Sequence, residues 1–241
     1  MIIMIGLVNY SASPLPAVRV DPALAERLRG YLDSEESARD LVVRLRGRAR
    51  TNRRLHDVVD VRERVPRIVI LSPPAWSDTE SRFKVRREVA ERLHSAVDRL
   101  PEDTRLGFWE GYRPLDVQEA LWDCAVARLA SEAPHLGRPA LHQIADDLVA
   151  HPGRSVPPHS TGSAVDIAAL DPYGRVMNPR DPWGALYYRR VADALRGAGL
   201  ANYTPEWWHW SYGDETWARA NDCAPMAFAC GADFDGPGGG I

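Results

Sequence analysis

Apolar positions recur every three to four residues over 21–56, where Leu24, Leu28 and Leu32 and then Leu41, Val42 and Leu45 predict helix. Residues 67–72 (RIVILS) form a short β-rich run closed by Pro73 and Pro74. One stripe of Val85, Val89, Leu93, Val97 and Leu100 predicts an amphipathic helix over 84–100, ended by Pro101 and Asp103. Residues 105–110 (RLGFWE) read as a strand. Pro114 can open the next helix, because a first turn does not need its missing N–H; that helix runs through Val117, Leu121 and Val126 to about residue 130. The stretch 131–158, rich in Pro, Gly and His, predicts loop with one short helix over 141–150. Residues 164–170 (AVDIAAL) predict a strand. Asp181 and Pro182 mark a helix start as N-cap and N1, with Gly197 or Gly199 as its stop. Residues 207–212 read as the last strand, and the Gly-rich 231–241 as a frayed tail. Strands and helices mixed without βαβ regularity predict an α+β fold.

Length and composition narrow the class. The 241 residues fit one large domain, or one with a small appendage, and 45% apolar content is enough to bury a core. No stretch approaches the roughly 18 apolar residues of a membrane span. Charge is uneven: residues 1–100 carry +5 and residues 101–241 carry −8, so the second half is the expected home of a carboxylate-bearing site. The arginines between Arg44 and Arg67 are interleaved with Asp57, Asp60 and Glu63 and lack aromatics for stacking, which argues against a nucleic-acid partner. Cys124, Cys223 and Cys230 make no disulfide framework and no zinc knuckle; a Cys223–Cys230 bridge would fit an exported chain, and free thiols fit the cytoplasm. The apolar start, Met1 to Val8, has no basic residues and reads as a strand or arm, so a cytoplasmic location is expected.

Three segments carry candidate chemistry: residues 158–166 (PHSTGSAVD), 206–210 (EWWHW) and 110–114 (EGYRP). His159 and Asp166 flank a small-residue turn that lets the strand bearing Asp166 fold back toward His159. With His209 they make two imidazoles and one carboxylate, which leaves an open fourth position on tetrahedral Zn²⁺, the pattern of a catalytic site. Glu206 precedes His209 by three residues, a spacing that puts them on opposite faces of a flat strand. A turn at Trp207 and Trp208 would bring both into one cavity, where Glu206 would serve as general base and the indoles would raise its proton affinity. The plainer alternative makes each His a satisfied polar residue, Gly162 a hairpin glycine and the tryptophans core. His56, His94, His135, His142 and His151 have no such partners in sequence and read as structural or exposed.

The pattern H-x-x-G-x-A-x-D at His159, Gly162, Ala164 and Asp166, followed by E-x-W-H at Glu206, Trp208 and His209, resembles the M15 family of zinc peptidases, and more closely its D-alanyl-D-alanine dipeptidases. The family's upstream G-Y-R-P is matched by residues 111–114, and the resemblance covers roughly 83–218. It implies a small antiparallel sheet with helices packed around it and the zinc site at the sheet. It implies one Zn²⁺ per chain held by His159, Asp166 and His209, and a small peptide as substrate. Glu206 would move the proton from a zinc-activated water to the leaving amine, and Arg113 would stabilise the oxyanion or hold the carbonyl. Asp181, Ser160 and Trp208 are the candidate substrate contacts. The implied organisation is an extension over 1–75 packed on a core over 76–230, with the tail after it.

The chain departs from the family in places. Pro157 stands where a Ser often precedes the first ligand by two residues. The segment whose Asp helps hold the substrate's free amine is matched only by residues 177–181 (MNPRD), where Asp181 also suits an N-cap. The span from Asp166 to Glu206 is shorter than in close relatives. An M15-type carboxypeptidase or amidase on a larger peptide is therefore the near alternative. Two His and one Asp also form the facial triad of Fe(II) oxygenases, but Glu206 has no task there. A non-catalytic binding module is the third class, against which the intact Glu206 argues. Oligomeric state is not legible.

Overall fold

The computed structural model describes residues 58–72, 80–151 and 156–223. The expected helix over 21–56, the Gly-rich tail and Cys230 lie outside them. In chain order the elements are β1 (Val58–Asp60), α1 (Val61–Arg64), β2 (Val69–Ile70), a 3₁₀ turn (Glu80–Phe83), β3 (Lys84–Arg86), α2 (Arg87–Asp98), β4 (Arg105–Glu110), α3 (Leu115–Glu132) and α4 (Arg138–Leu148). A second 3₁₀ turn (His159–Thr161), β5 (Ala164–Leu170), α5 (Pro182–Gly197), β6 (Ala201–Asn202), β7 (His209–Ser211) and α6 (Glu215–Ala220) follow. The fold is α+β, and among the described residues no helix is long and apolar enough to cross a membrane.

Two compact units divide these elements. One spans 115–157, where Trp122, Ala125 and Leu129 of α3 pack on Leu141 and Ala145 of α4. Its ends are tied by Trp122 Nε1 donating to Asp146 Oδ1 at 2.7 Å and Gln118 Nε2 donating to the Ala150 carbonyl at 2.7 Å.

The other unit holds the rest, including a five-stranded sheet ordered β2-β4-β5-β7-β6. The β4–β5, β5–β7 and β7–β6 pairs are antiparallel, and the two-residue edge strand β2 runs parallel to β4. All seven residues of β5 are buried, which is why the segment reads as a nearly unbroken apolar run. Alternation divides them: Val165, Ile167 and Ala169 join the core with Val89, Leu93 and Val97 of α2 and Val191 and Leu195 of α5. Asp166 therefore lies on the face away from these helices. Burying a side chain such as Leu93 or Leu195 contributes about 1.5–3 kcal/mol, so this helix-backed face holds the sheet in place.

Two expectations are corrected. The helix over 84–100 begins only at Arg87, because Lys84, Val85 and Arg86 pair with β1. The Arg82 and Lys84 carbonyls accept from the Gly111 and Tyr112 amides, so this backbone belongs to a strand-like ladder. The last strand shrinks to His209–Ser211, since residues 207 and 208 form a turn in which the His209 amide donates to the Glu206 carbonyl at 3.1 Å.

β4 also carries a bulge. Phe108 pairs with Ile167 but Glu110 pairs with Asp166, so two steps on β4 match one on β5.

Candidate active site

The site lies wholly within the larger unit. His159 stands in a single 3₁₀ turn that Gly162 ends at φ +70°, a conformation that a side chain would strain. Thr161 Oγ1 donates to the Pro158 carbonyl at 2.6 Å, and the Arg86 amide donates to the Gly162 carbonyl at 3.0 Å, so the turn is pinned on both sides. The Gly111 carbonyl, at the end of β4, lies 2.7 Å from His159 Nδ1. A carbonyl only accepts, so Nδ1 carries a proton, and the neutral ring then presents its lone pair on Nε2. Asp166 of β5 and His209 of β7 are directly paired across the sheet and share the face opposite α2 and α5.

The three donor atoms form a near-equilateral triangle. His159 Nε2 lies 3.2 Å from His209 Nδ1, and each nitrogen lies 3.3 Å from Asp166 Oδ1. Tetrahedral Zn²⁺ with ligands at about 2.0–2.1 Å keeps them roughly 3.3 Å apart. Asp166 Oδ1 is buried yet accepts no hydrogen bond, an arrangement that costs about 1–3 kcal/mol unless something else satisfies it. Donor chemistry, spacing and the orphaned oxygen all fit a zinc ion. Burial would push the Asp166 carboxyl up, but the two imidazoles outweigh it and hold it well below the usual carboxylate range. Burial would likewise lower His209, but the Asp166 and Glu206 carboxylates raise it.

Glu206 Oε2 lies 3.7 Å from His209 Nδ1, with the 207–208 turn between them. Burial raises the Glu206 carboxyl above its ordinary value, and the His209 charge offsets this only in part. Arg113 is buried, donating from Nε and Nη2 to the two oxygens of Glu110 at 3.0 and 2.6 Å. Its own amide donates to the His159 carbonyl at 3.2 Å. Burial opposes the charge on both partners, but the pairing prevails: Glu110 is lowered and Arg113 raised. Trp207 meets Trp109, Trp208 and Tyr188 edge-on, and the Tyr203 ring lies 6.1 Å from that of His209.

The three candidate ligands thus stand together with Glu206 beside them. Ser160 is fully buried next to His159, its hydroxyl without a hydrogen-bond partner, and Trp208 is buried against Trp207. Asp181 stands exposed at the start of α5, its side chain makes no capping bond, and no hydrogen bond or ion pair joins it to the cluster. Sequence reasoning left Glu110 and the Gly111 carbonyl without a role. The bulge that places the first has no signal in the local pattern, and backbone carbonyls carry none.

No family model matches the chain. The chain is 28% identical over 184 residues to the D-alanyl-D-alanine dipeptidase of Synechocystis sp., covering 57% of this chain and 72% of that protein. Three solved structures are similar. The LD-carboxypeptidase LdcB has a TM-score of 0.44 at 21% identity, over 70% of this chain and 75% of its own. The vancomycin-resistance D,D-pentapeptidase VanY, in complex with Zn(II), has a TM-score of 0.39 at 23% identity, over 54% and 72%. VanYB in complex with D-alanine-D-alanine has a TM-score of 0.40 at 21% identity, over 58% and 80%.

Proposed function

We propose that this chain is an M15-type zinc peptidase, a D,D-dipeptidase-like hydrolase acting on a dipeptide of the D-Ala-D-Ala type. The observation that carries this reading is a buried His–Asp–His triangle of 3.2–3.3 Å sides with a fourth group, the Glu206 carboxylate, close by but outside it. The likeness to a D-alanyl-D-alanine dipeptidase supports the substrate class.

Zinc, when held by His159, Asp166 and His209, supplies Lewis-acid polarisation of the peptide carbonyl and acidifies a water. Glu206 takes the proton of the attacking water and delivers it to the leaving amine; its raised proton affinity suits both halves of that task. Arg113, permanently charged, faces the negative charge that develops on the carbonyl oxygen. The Gly111 carbonyl keeps His159 in the tautomer that offers Nε2. His159, Asp166 and His209 are all buried, which limits access of bulk water to them.

The exposed Asp181 favours a second reading. With Asp181 exposed and not bonded to the cluster, an M15-type carboxypeptidase or amidase acting on a longer peptide would use the same groups. Hydrolysis of D,D-, L,D- and L,L-dipeptides beside longer peptides ending in D-Ala-D-Ala, with and without chelator, separates the two. The first reading expects the D,D-dipeptide to be cut fastest and all cleavage to stop on chelation. A cytoplasmic site of action belongs to this proposal, in keeping with exposed Cys124 and Cys223, which are free among the described residues, and cell fractionation tests it.

A further inference from the structure

Glu110 has no part in the chemistry above, yet it is a fully buried carboxylate in the same row of the sheet as two candidate ligands: Glu110 pairs with Asp166, and Asp166 with His209. Its position is built by the bulge. Leu106 and Phe108 point into the helix-backed core, and strict alternation would send Glu110 there too. The extra step at Trp109 turns Glu110 onto the face of Asp166 instead. A carboxylate there sits beside another buried acid, an unfavourable placement that the Arg113 guanidinium does most to offset.

We propose that Glu110 is a positioning residue that fixes the Arg113 guanidinium for action on the substrate carbonyl. The proposal rests on the role given to Arg113 above. Arg113 is tied twice: its amide to the His159 carbonyl, its Nε and Nη2 to the two oxygens of Glu110. A two-point hydrogen bond between planar groups removes the rotamer freedom of a long side chain before substrate arrives. Stabilising a developing oxyanion requires such a donor already in place. A charge pair that served the fold alone would not need to share a row with the metal-binding side chains.

The test compares Glu110→Gln, Glu110→Asp, Arg113→Ala and the double variant Glu110→Gln/Arg113→Ala in zinc-loaded protein, with zinc content measured for each. The expected result is that Glu110→Gln keeps one zinc and lowers kcat roughly 10–100-fold with little change in KM. Glu110→Asp recovers part of the loss, and adding Glu110→Gln to Arg113→Ala costs nothing further. The Arg113 Nε–H resonance, identified by its absence from Arg113→Ala, shifts in Glu110→Gln. Additive losses in kcat, or an Arg113 resonance that does not move, overturn the proposal. Wild-type protein inert toward every peptide refutes the functional reading instead, and the resonance still decides the pairing.

Discussion

His159 Nε2 lies 3.2 Å from His209 Nδ1 although the two residues are fifty apart in the chain. Because the Gly111 carbonyl holds the His159 proton on Nδ1, this close approach brings a lone pair toward a second ring and toward the Asp166 carboxylate. A divalent cation is the partner such a group of donors lacks.

Removing the metal is therefore expected to destabilise the fold. At a hundredfold excess of free zinc over Kd, binding adds about 2.7 kcal/mol. Thermal unfolding followed with and without chelator should show a lower Tm after chelation, restored by Zn²⁺. An unchanged Tm would mean that the folded protein binds no zinc.

Glu206→Gln keeps the shape of the side chain and removes the base. Metal analysis should return one zinc per chain, while hydrolysis falls by about 10²–10⁴-fold. A variant as active as wild type would remove Glu206 from the reaction.

Arg113→Ala acts on both rate and stability. Loss of an oxyanion donor costs about 2.7–4 kcal/mol in the barrier, and leaving Glu110 buried without its partner costs about 3–5 kcal/mol of stability. Steady-state kinetics and denaturant unfolding measure the two separately. An unchanged kcat with lowered stability would confine Arg113 to the fold.

Glu110 is held below the ordinary Glu value of 4.5 in the folded chain: burial pushes it up, but Arg113 outweighs this. The unfolded chain then binds the proton more readily, so this pair's stabilisation is full above about pH 4.5 and fades as pH falls through the folded value. Urea unfolding between pH 6 and pH 3 should show a shallower acid loss in Glu110→Gln than in wild type. Equal slopes would mean that Glu110 titrates alike in both states.

Gly162→Ala probes the turn that presents His159. At φ +70° a Cβ costs about 1–2 kcal/mol. Lower stability and weaker zinc binding are expected together, by calorimetry; zinc affinity equal to wild type would uncouple the turn from the site.

Much of the sheet is legible where the pattern is local. Residues 164–170 read as a strand because every side chain is buried, and residues 105–110 because Leu106 and Phe108 alternate into the core. Lys84–Arg86 does not, since the apolar stripe of α2 continues into it through Val85 while its backbone is taken by β1, more than twenty residues earlier. The short strand β7 depends in the same way on β5, about forty residues earlier, and β6 in turn pairs with β7. At the site, His159, Asp166, Glu206 and His209 stand out through their spacing and neighbours. The facing of Glu110 does not, because one residue of bulge reverses it.

X-ray absorption at the zinc edge on the loaded protein tests most directly whether His159, Asp166 and His209 hold the ion. The predicted shell is two imidazole nitrogens and two oxygens at about 2.0–2.2 Å, losing one nitrogen in His159→Ala. A shell containing sulfur, one of oxygens alone, or one unaltered by His159→Ala would contradict the account.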